Sequence, residues 1–211
     1  MEDDERTDGR PRDAHWDTAY RDQPAHSWNQ ATPATSLSML DAAGISADES
    51  LIDVGGGDSS LVEVLLHRGL RDLTVLDVSA EALAIARARL GARHDTVTWV
   101  QQDLLEWHPT RHWDVWHDRA VFHFLTRPDE REHYREALRG ATRVGSRVIV
   151  GTFAADGPTV CSGLPTTRYT PDALIAELGP GFDPITADRE LHTTPTGAVQ
   201  PFTWVAMHRF Q

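Results

Sequence analysis

Four aspartates stand where an apolar run gives way to a polar turn: Asp53 in LIDVGGGDSS, Asp77 in VLDVS, Asp103 in QQDLLEW and Asp118 in WHDRA. Gly55, Gly56 and Gly57 follow the first of them. A carboxylate beside a pyrophosphate is repulsive, whereas beside an ammonium or sulfonium it is attractive. Asp53 therefore points to a zwitterionic, positively charged ligand. The loop lacks the Lys-Ser/Thr ending of a triphosphate loop, and Ser60 stands where a dinucleotide fingerprint needs its third glycine. Asp77 comes about twenty residues beyond the glycines, the spacing at which an acid reaches ribose hydroxyls. Asp103, followed by Leu104, offers an acceptor for an adenine amino group and an apolar surface for its ring.

Such acids are useful only at the carboxyl edge of an open sheet, where ligands of α/β folds bind. The pattern supplies that sheet. Apolar runs predict strands over 51–54, 73–76, 97–100, 114–117 and 147–153, and a terminal hairpin over 185–192 and 202–210. Between them lie helical segments: 36–43 stopped by Gly44, 61–68 capped by Asp58 or Ser59, one starting at Ser79, 131–139, and one opened by Thr170-Pro171. In the Ser79 helix, Leu83, Ile85, Ala86 and Leu90 form the apolar face. Strands alternating with helices imply a mostly parallel sheet covered on both faces. A chain of 211 residues suits one such domain. Residues 1–13 read as a solvated acidic tail. Residues 14–211 form the domain, with 14–46 a helical segment whose Trp16, Tyr20 and Trp28 could form a lid.

The ordered set Asp53-Gly55-Gly57, VLDVS and QQDLLEW resembles the motifs of class I S-adenosylmethionine-dependent methyltransferases. The resemblance runs from about residue 15 to the end, through WDVWHDRAVFHFLT and the closing hairpin. It implies a Rossmann-like α/β fold of seven strands in the order 3-2-1-4-5-7-6, the last antiparallel. It also implies S-adenosylmethionine as cofactor and S-adenosylhomocysteine as product. By position, Asp53, Gly55, Gly56 and Gly57 would line the methionine moiety, Asp77 and Val78 the ribose, and Asp103 and Leu104 the adenine. Asp118 and Arg119 would pass under the sulfonium, with Trp16 and Tyr20 closing over it. HWDTAY, DRAVFHFLT and CSGLP are similar to a bacterial subgroup of small stand-alone enzymes with thiopurine-, tellurite- and trans-aconitate-type relatives.

Several residues read two ways. His123 is either a general base beside the acceptor or a packed histidine between Phe122 and Phe124. Tyr20 could likewise take a proton. The aromatics Trp16, Tyr20 and Trp28 either cover the site or only fasten the N-terminal segment. Cys161 and Arg168 sit on loops at the same edge, as acceptor contacts or as packing. Eleven histidines raise a metal, but Pro109 breaks the His108/His112 spacing and no metal is expected.

A formal charge of −12 disfavours nucleic acid, and there is no apolar run long enough to span a membrane. One cysteine and no signal-like start lead to a cytoplasmic expectation. The expected acceptor is a small-molecule nucleophile, with a protein side chain of lysine type, or a non-enzymatic binding role, as the alternatives.

Overall fold

The computed structural model describes residues 11–22 and 26–211. Its strands are β1 (Ser50–Val54), β2 (Asp72–Asp77), β3 (Val97–Gln101), β4 (Val115–Arg119), β5 (Arg147–Phe153), β6 (Val160–Cys161), β7 (Leu164–Pro165), β8 (Phe182–Thr193) and β9 (Val199–Arg209). Its helices are α1 (Arg12–Asp22), α2 (Ala34–Ala42), α3 (Leu61–His67), α4 (Ala80–Leu90), α5 (Pro128–Ala141) and α6 (Pro171–Leu178). Seven strands make one sheet in the order β3-β2-β1-β4-β5-β9-β8. The first five are mutually parallel, and β9 runs antiparallel to both its neighbours. Leaving aside the separate β6–β7 hairpin, which the sequence reading did not include, this is the expected 3-2-1-4-5-7-6 order.

Local chemistry sets the element ends. Ser79 has the extended backbone of an N-cap and its hydroxyl accepts the Ala82 N–H at 3.1 Å. Thr170 does the same for Ala173 at 3.2 Å, with Pro171 pre-set at the first helical position. Gly44 and Gly69 take positive φ just beyond α2 and α3. Three expectations shift. α1 begins at Arg12, two residues inside the presumed tail, while residues 1–10 lie outside the described residues. Ile85 is 37% exposed, and Ala82 takes its place on the buried face of α4. β4 runs on to Arg119 instead of ending at His117, with consequences for the site.

Strand alternation sorts the core into two layers. Leu51, Val115, Ile149 and Trp204 pack with residues of α2, α3 and α4 on one face. Ile52, Val54, Trp116 and Val148 pack with residues of α5 and α6 on the other. On the second face the Trp116 indole N–H donates to Tyr134 Oη at 3.0 Å, and the Tyr134 hydroxyl donates to Asp118 at 2.8 Å. Among the described residues, no helix is long and apolar enough to cross a membrane.

In the centre of β5, Gly151 lies between Arg119 of β4 and Trp204 of β9. A Cβ there would stand 2.7–2.8 Å from the fully buried Trp204 ring. Gly151→Val is expected to cost about 3 kcal/mol through overpacking. Urea unfolding would read this as a lower midpoint at unchanged slope.

Candidate active site

A cavity of about 890 Å³ opens at the carboxyl ends of β1 to β5, between α1 and the β6–β7 hairpin. The β1–α3 turn forms one wall. Gly55 and Gly57 have φ of 62° and 49°, in the left-handed region that favours glycine. A side chain on Gly55 would run into Val121, and one on Gly57 into the Tyr20 hydroxyl. At Gly56 an added Cβ would lie 2.8 Å from both Asp53 Oδ2 and Val75 Cγ1. The turn is thus held tight against its surroundings on every side, with Asp53, Gly55 and Gly56 on the cavity wall.

Asp53 is buried and accepts a hydrogen bond from His117 Nδ1 at 2.7 Å. His117 Nε2 stands 3.0 Å from Ser36 Oγ on α2. The order Ser36–His117–Asp53 matches that of a hydrolase triad, but Ser36 is buried behind the imidazole and does not line the cavity. The chain of contacts instead fixes the carboxylate's orientation. Neither His117 nor Ser36 was among the residues singled out from the sequence. The signal for His117 is its register: it pairs directly with Asp53 across β1 and β4.

Asp77 ends β2, lines the cavity with Val78, and is buried. Burial is the main cause that raises its pKa to about 7; the N–H groups of Ser79 and Gly57 pull it down, and Asp53 and Asp58 push it up. Ser79 N–H donates to Asp77 Oδ1 at 2.8 Å. Asp103 and Leu104 line the far end. There Asp103 is ion-paired with Arg12 of α1 at 3.2 Å, and the same guanidinium reaches the mostly buried Glu130 at 2.5 Å. Leu105 N–H donates to Asp103 at 2.9 Å, leaving the carboxylate anchored at the cavity edge.

The N-terminal aromatics close the opening. Trp16 packs edge-on against Trp28 and Phe124, with centroids 5.9 and 5.0 Å apart, and Tyr20 lies 5.5 Å from Trp28. Asp17 docks α1 onto the start of α4, accepting from Ser79 Oγ at 2.6 Å and Glu81 N–H at 3.2 Å. That is a carboxylate at a helix N-terminus, where it is stabilised.

The structure corrects four of the sequence expectations. Asp118 lies inside β4, so alternation turns its side chain to the α5 face, where Tyr134 and the Val121 N–H hold it; it does not line the cavity. Burial raises its pKa to about 7. Tyr20 is pushed well above 10 by burial and then by Asp77, so its hydroxyl keeps its proton and is no base. His123 lines the cavity, but burial lowers it to about 3, and Nδ1 accepts the Phe153 N–H at 3.2 Å. A base so weak with one nitrogen engaged does not abstract a proton near neutral pH. Arg168 points elsewhere, its Nη1 3.4 Å from the Gly157 carbonyl, and does not line the cavity. Trp28 and Cys161 do line it, and burial raises the Cys161 pKa, so the thiol stays protonated and is no activated nucleophile.

Comparison with known proteins gives the same fold. The family model for a methyltransferase domain matches residues 51–145. No curated protein matches the chain. A structure solved in work on the conversion of a disulfide bond into a thioacetal group during echinomycin biosynthesis aligns with TM-score 0.76 and 20% identity, over 94% of this chain and 93% of that one. A SAM-dependent methyltransferase from Anabaena variabilis aligns at 0.73 and 16%, over 93% and 94%. The Burkholderia thailandensis 1,6-didemethyltoxoflavin-N1-methyltransferase, with S-adenosylhomocysteine bound, aligns at 0.64 and 19%, over 85% and 78%. Residues 51–145 thus match a methyltransferase-domain model, and the chain has the fold of S-adenosylmethionine-dependent methyltransferases, its glycine turn and three cavity acids standing at the strand ends where open α/β folds bind their ligands.

Proposed function

We propose that this protein transfers a methyl group from S-adenosylmethionine to a small-molecule nucleophile. The observation that carries the reading is one cavity joining two unlike halves. Asp53, Gly56, Asp77 and Asp103 line one, and Trp28, Phe153, Cys161 and Phe202 the other. When bound, the cofactor supplies a methyl on a sulfonium that leaves as a neutral thioether. Around it, Asp53 would hold the methionine ammonium, Asp77 both ribose hydroxyls, and Asp103 with Leu104 the adenine. The glycine turn lets the backbone approach without a side chain between.

The residues' remaining work is alignment and exclusion of water. Neither Tyr20 nor His123 takes a proton near pH 7. An acceptor whose lone pair is already free needs no proton taken by either of them. A volume of about 890 Å³ falls among small-molecule sites of roughly 300–1,000 Å³. A cavity roofed by α1 and the β6–β7 hairpin favours a small acceptor over a protein side chain, which needs an open trough. The formal charge of −12 disfavours nucleic acid. The lone, buried Cys161 leaves no disulfide to form within the chain, which suits the reducing cytoplasm.

Incubation with methyl-labelled cofactor and a cell extract tests the reading. Label should accumulate in low-molecular-weight products. Label confined to protein would overturn the small acceptor, and failure to bind S-adenosylhomocysteine would overturn methyl transfer altogether.

A further inference from the structure

The acceptor half of the cavity contains a cation whose hydrogen bonds are not spent. Arg119 lies on the same strand face as His117, two residues on, and pairs across β5 with Gly151, which has no side chain to block it. Its guanidinium lies over the Phe202 ring, 4.9 Å from the centroid, and Nη1 donates to the Trp28 carbonyl at 3.0 Å. Nε and Nη2 are buried and make no hydrogen bond to any described residue. Glu190 Oε1 stands 4.0 Å from Nη2, beyond hydrogen-bond reach, and Glu190 already accepts from Gln30 and from the Trp204 indole at 2.8 Å.

Resting on the methyltransferase reading above, we infer that this chamber recognises a planar anion, the acceptor's carboxylate seating side-on against Arg119 Nε and Nη2. Adjacent N–H groups of a guanidinium fork match the two oxygens of a carboxylate, and such charge-assisted pairs are the strong ones. A buried, unspent donor is costly, which is the physical reason to look for its partner. His123 supplies a second unspent donor. Its Nδ1 accepts from Phe153 N–H, so the neutral ring carries its proton on Nε2, which has no partner among the described residues. The His123 ring stacks on Phe153 with centroids 4.2 Å apart, and Phe153 meets Phe202 edge-on at 5.0 Å. Flat aromatic walls around two donors favour a flat, oxygen-bearing ligand.

The carboxylate serves as the handle and another atom takes the methyl, because pairing with Arg119 draws down the carboxylate's nucleophilicity. The rival claimant is the cofactor's own carboxylate. Position disfavours it. The Arg119 head lies over Phe202 of β9, with Glu190 of β8 the strongest charge acting on it and Asp53 of β1 the next.

Binding of benzoate and nicotinate, compared with the neutral isosteres benzamide and nicotinamide, tests the inference by calorimetry with and without saturating S-adenosylhomocysteine. The carboxylates should bind the wild type at least about tenfold tighter than the amides. Arg119→Gln should erase that preference, and Arg119→Lys, which keeps the charge without the fork, should restore only part of it. Circular dichroism spectra and unfolding midpoints matching those of the wild type show that both variants are folded. Equal binding of charged and neutral probes to the wild type, or a preference surviving Arg119→Gln, would overturn the inference. So would an S-adenosylhomocysteine affinity that drops in Arg119→Gln while that of methylthioadenosine, which has no carboxylate, holds. A wild type that fails to bind S-adenosylhomocysteine defeats the methyltransferase reading instead, and the titrations without it still decide the anion site.

Discussion

Replacing Asp77 by asparagine is expected to weaken S-adenosylhomocysteine binding by about 100-fold at pH 8, and to abolish its pH dependence between pH 6 and 8. The magnitude follows from two ribose hydroxyls donating to one carboxylate. Hydrogen bonds to a charged acceptor contribute about 1.5–3 kcal/mol each, and every 1.4 kcal/mol is about tenfold in affinity. Asparagine keeps the shape but loses the charge, and its NH₂ faces the N–H donors of Ser79 and Gly57.

The pH arm has a definite sign. In the free protein, burial raises Asp77 to about 7, with Asp53 and Asp58 adding to the push. Ribose hydroxyls stabilise the ionised form, so below pH 7 binding must first expel a proton. Wild-type affinity is then full above about pH 7 and falls by about tenfold per unit below it. With no proton to expel, Asp77→Asn stays flat. Tyr20, facing the same carboxylate, keeps its proton throughout this range. Asp118 also titrates at about 7 but lies on the opposite sheet face against Tyr134. Asp118→Asn should therefore leave the binding step intact, which makes it the internal control. Calorimetry at pH 6, 7 and 8 on the three proteins decides the matter: a flat wild type, or a step surviving in Asp77→Asn, would remove Asp77 from the ribose site.

The two aspartates also show what a sequence can and cannot reveal. Both sit at strand ends, and both look alike in the pattern of apolar run and polar turn. Asp77 is the last residue of β2 and faces the cavity. Asp118 is the penultimate residue of β4, and because side chains alternate, placing the strand's end two residues early assigned it to the wrong face. The same shift hid His117, read as the last strand residue when it is the hydrogen-bond partner of Asp53. Local signals survived well. Ser79 and Thr170 cap their helices through their own side chains, so no distant contact is needed to find them. α1 offered no such signal, since none of its residues is buried and its amphipathic pattern is absent. Its place is fixed by long-range polar contacts, an ion pair from Arg12 and hydrogen bonds accepted by Asp17, to residues more than sixty positions away. The β6–β7 hairpin, two residues a strand, is below what periodicity can register.

Whether α1 covers the site or merely fastens the N-terminal segment has a decisive test in Trp16→Ala/Tyr20→Ala. The double variant is expected to speed S-adenosylhomocysteine dissociation by about 100-fold while lowering the melting temperature by less than about 3 °C. The two readings differ because the same contacts would stabilise different things. A core aromatic cut to alanine costs about 3–5 kcal/mol, or on the order of 10 °C in a domain of this size. Trp16 and Tyr20 are only half-buried by residue, and their ring partners Trp28 and Phe124 line the cavity, Phe124 also packing against the rim of the core. The rest of α1 is held by exposed or part-exposed pairs such as Arg21–Glu81 at 3.0 Å, each contributing about 0–1 kcal/mol. Little global stability is therefore lost with the rings. What is lost is the wall over the glycine turn, where the Tyr20 hydroxyl abuts Gly57 and acts on Asp77. An escape rate 100-fold higher corresponds to about 3 kcal/mol of barrier, about what two aromatic contacts and the exclusion of water supply. Stopped-flow displacement of bound S-adenosylhomocysteine, read beside thermal unfolding, separates the outcomes. Unchanged dissociation with a melting point lowered by about 10 °C would make α1 a fastening, and the cavity would have to be closed by the β6–β7 side alone.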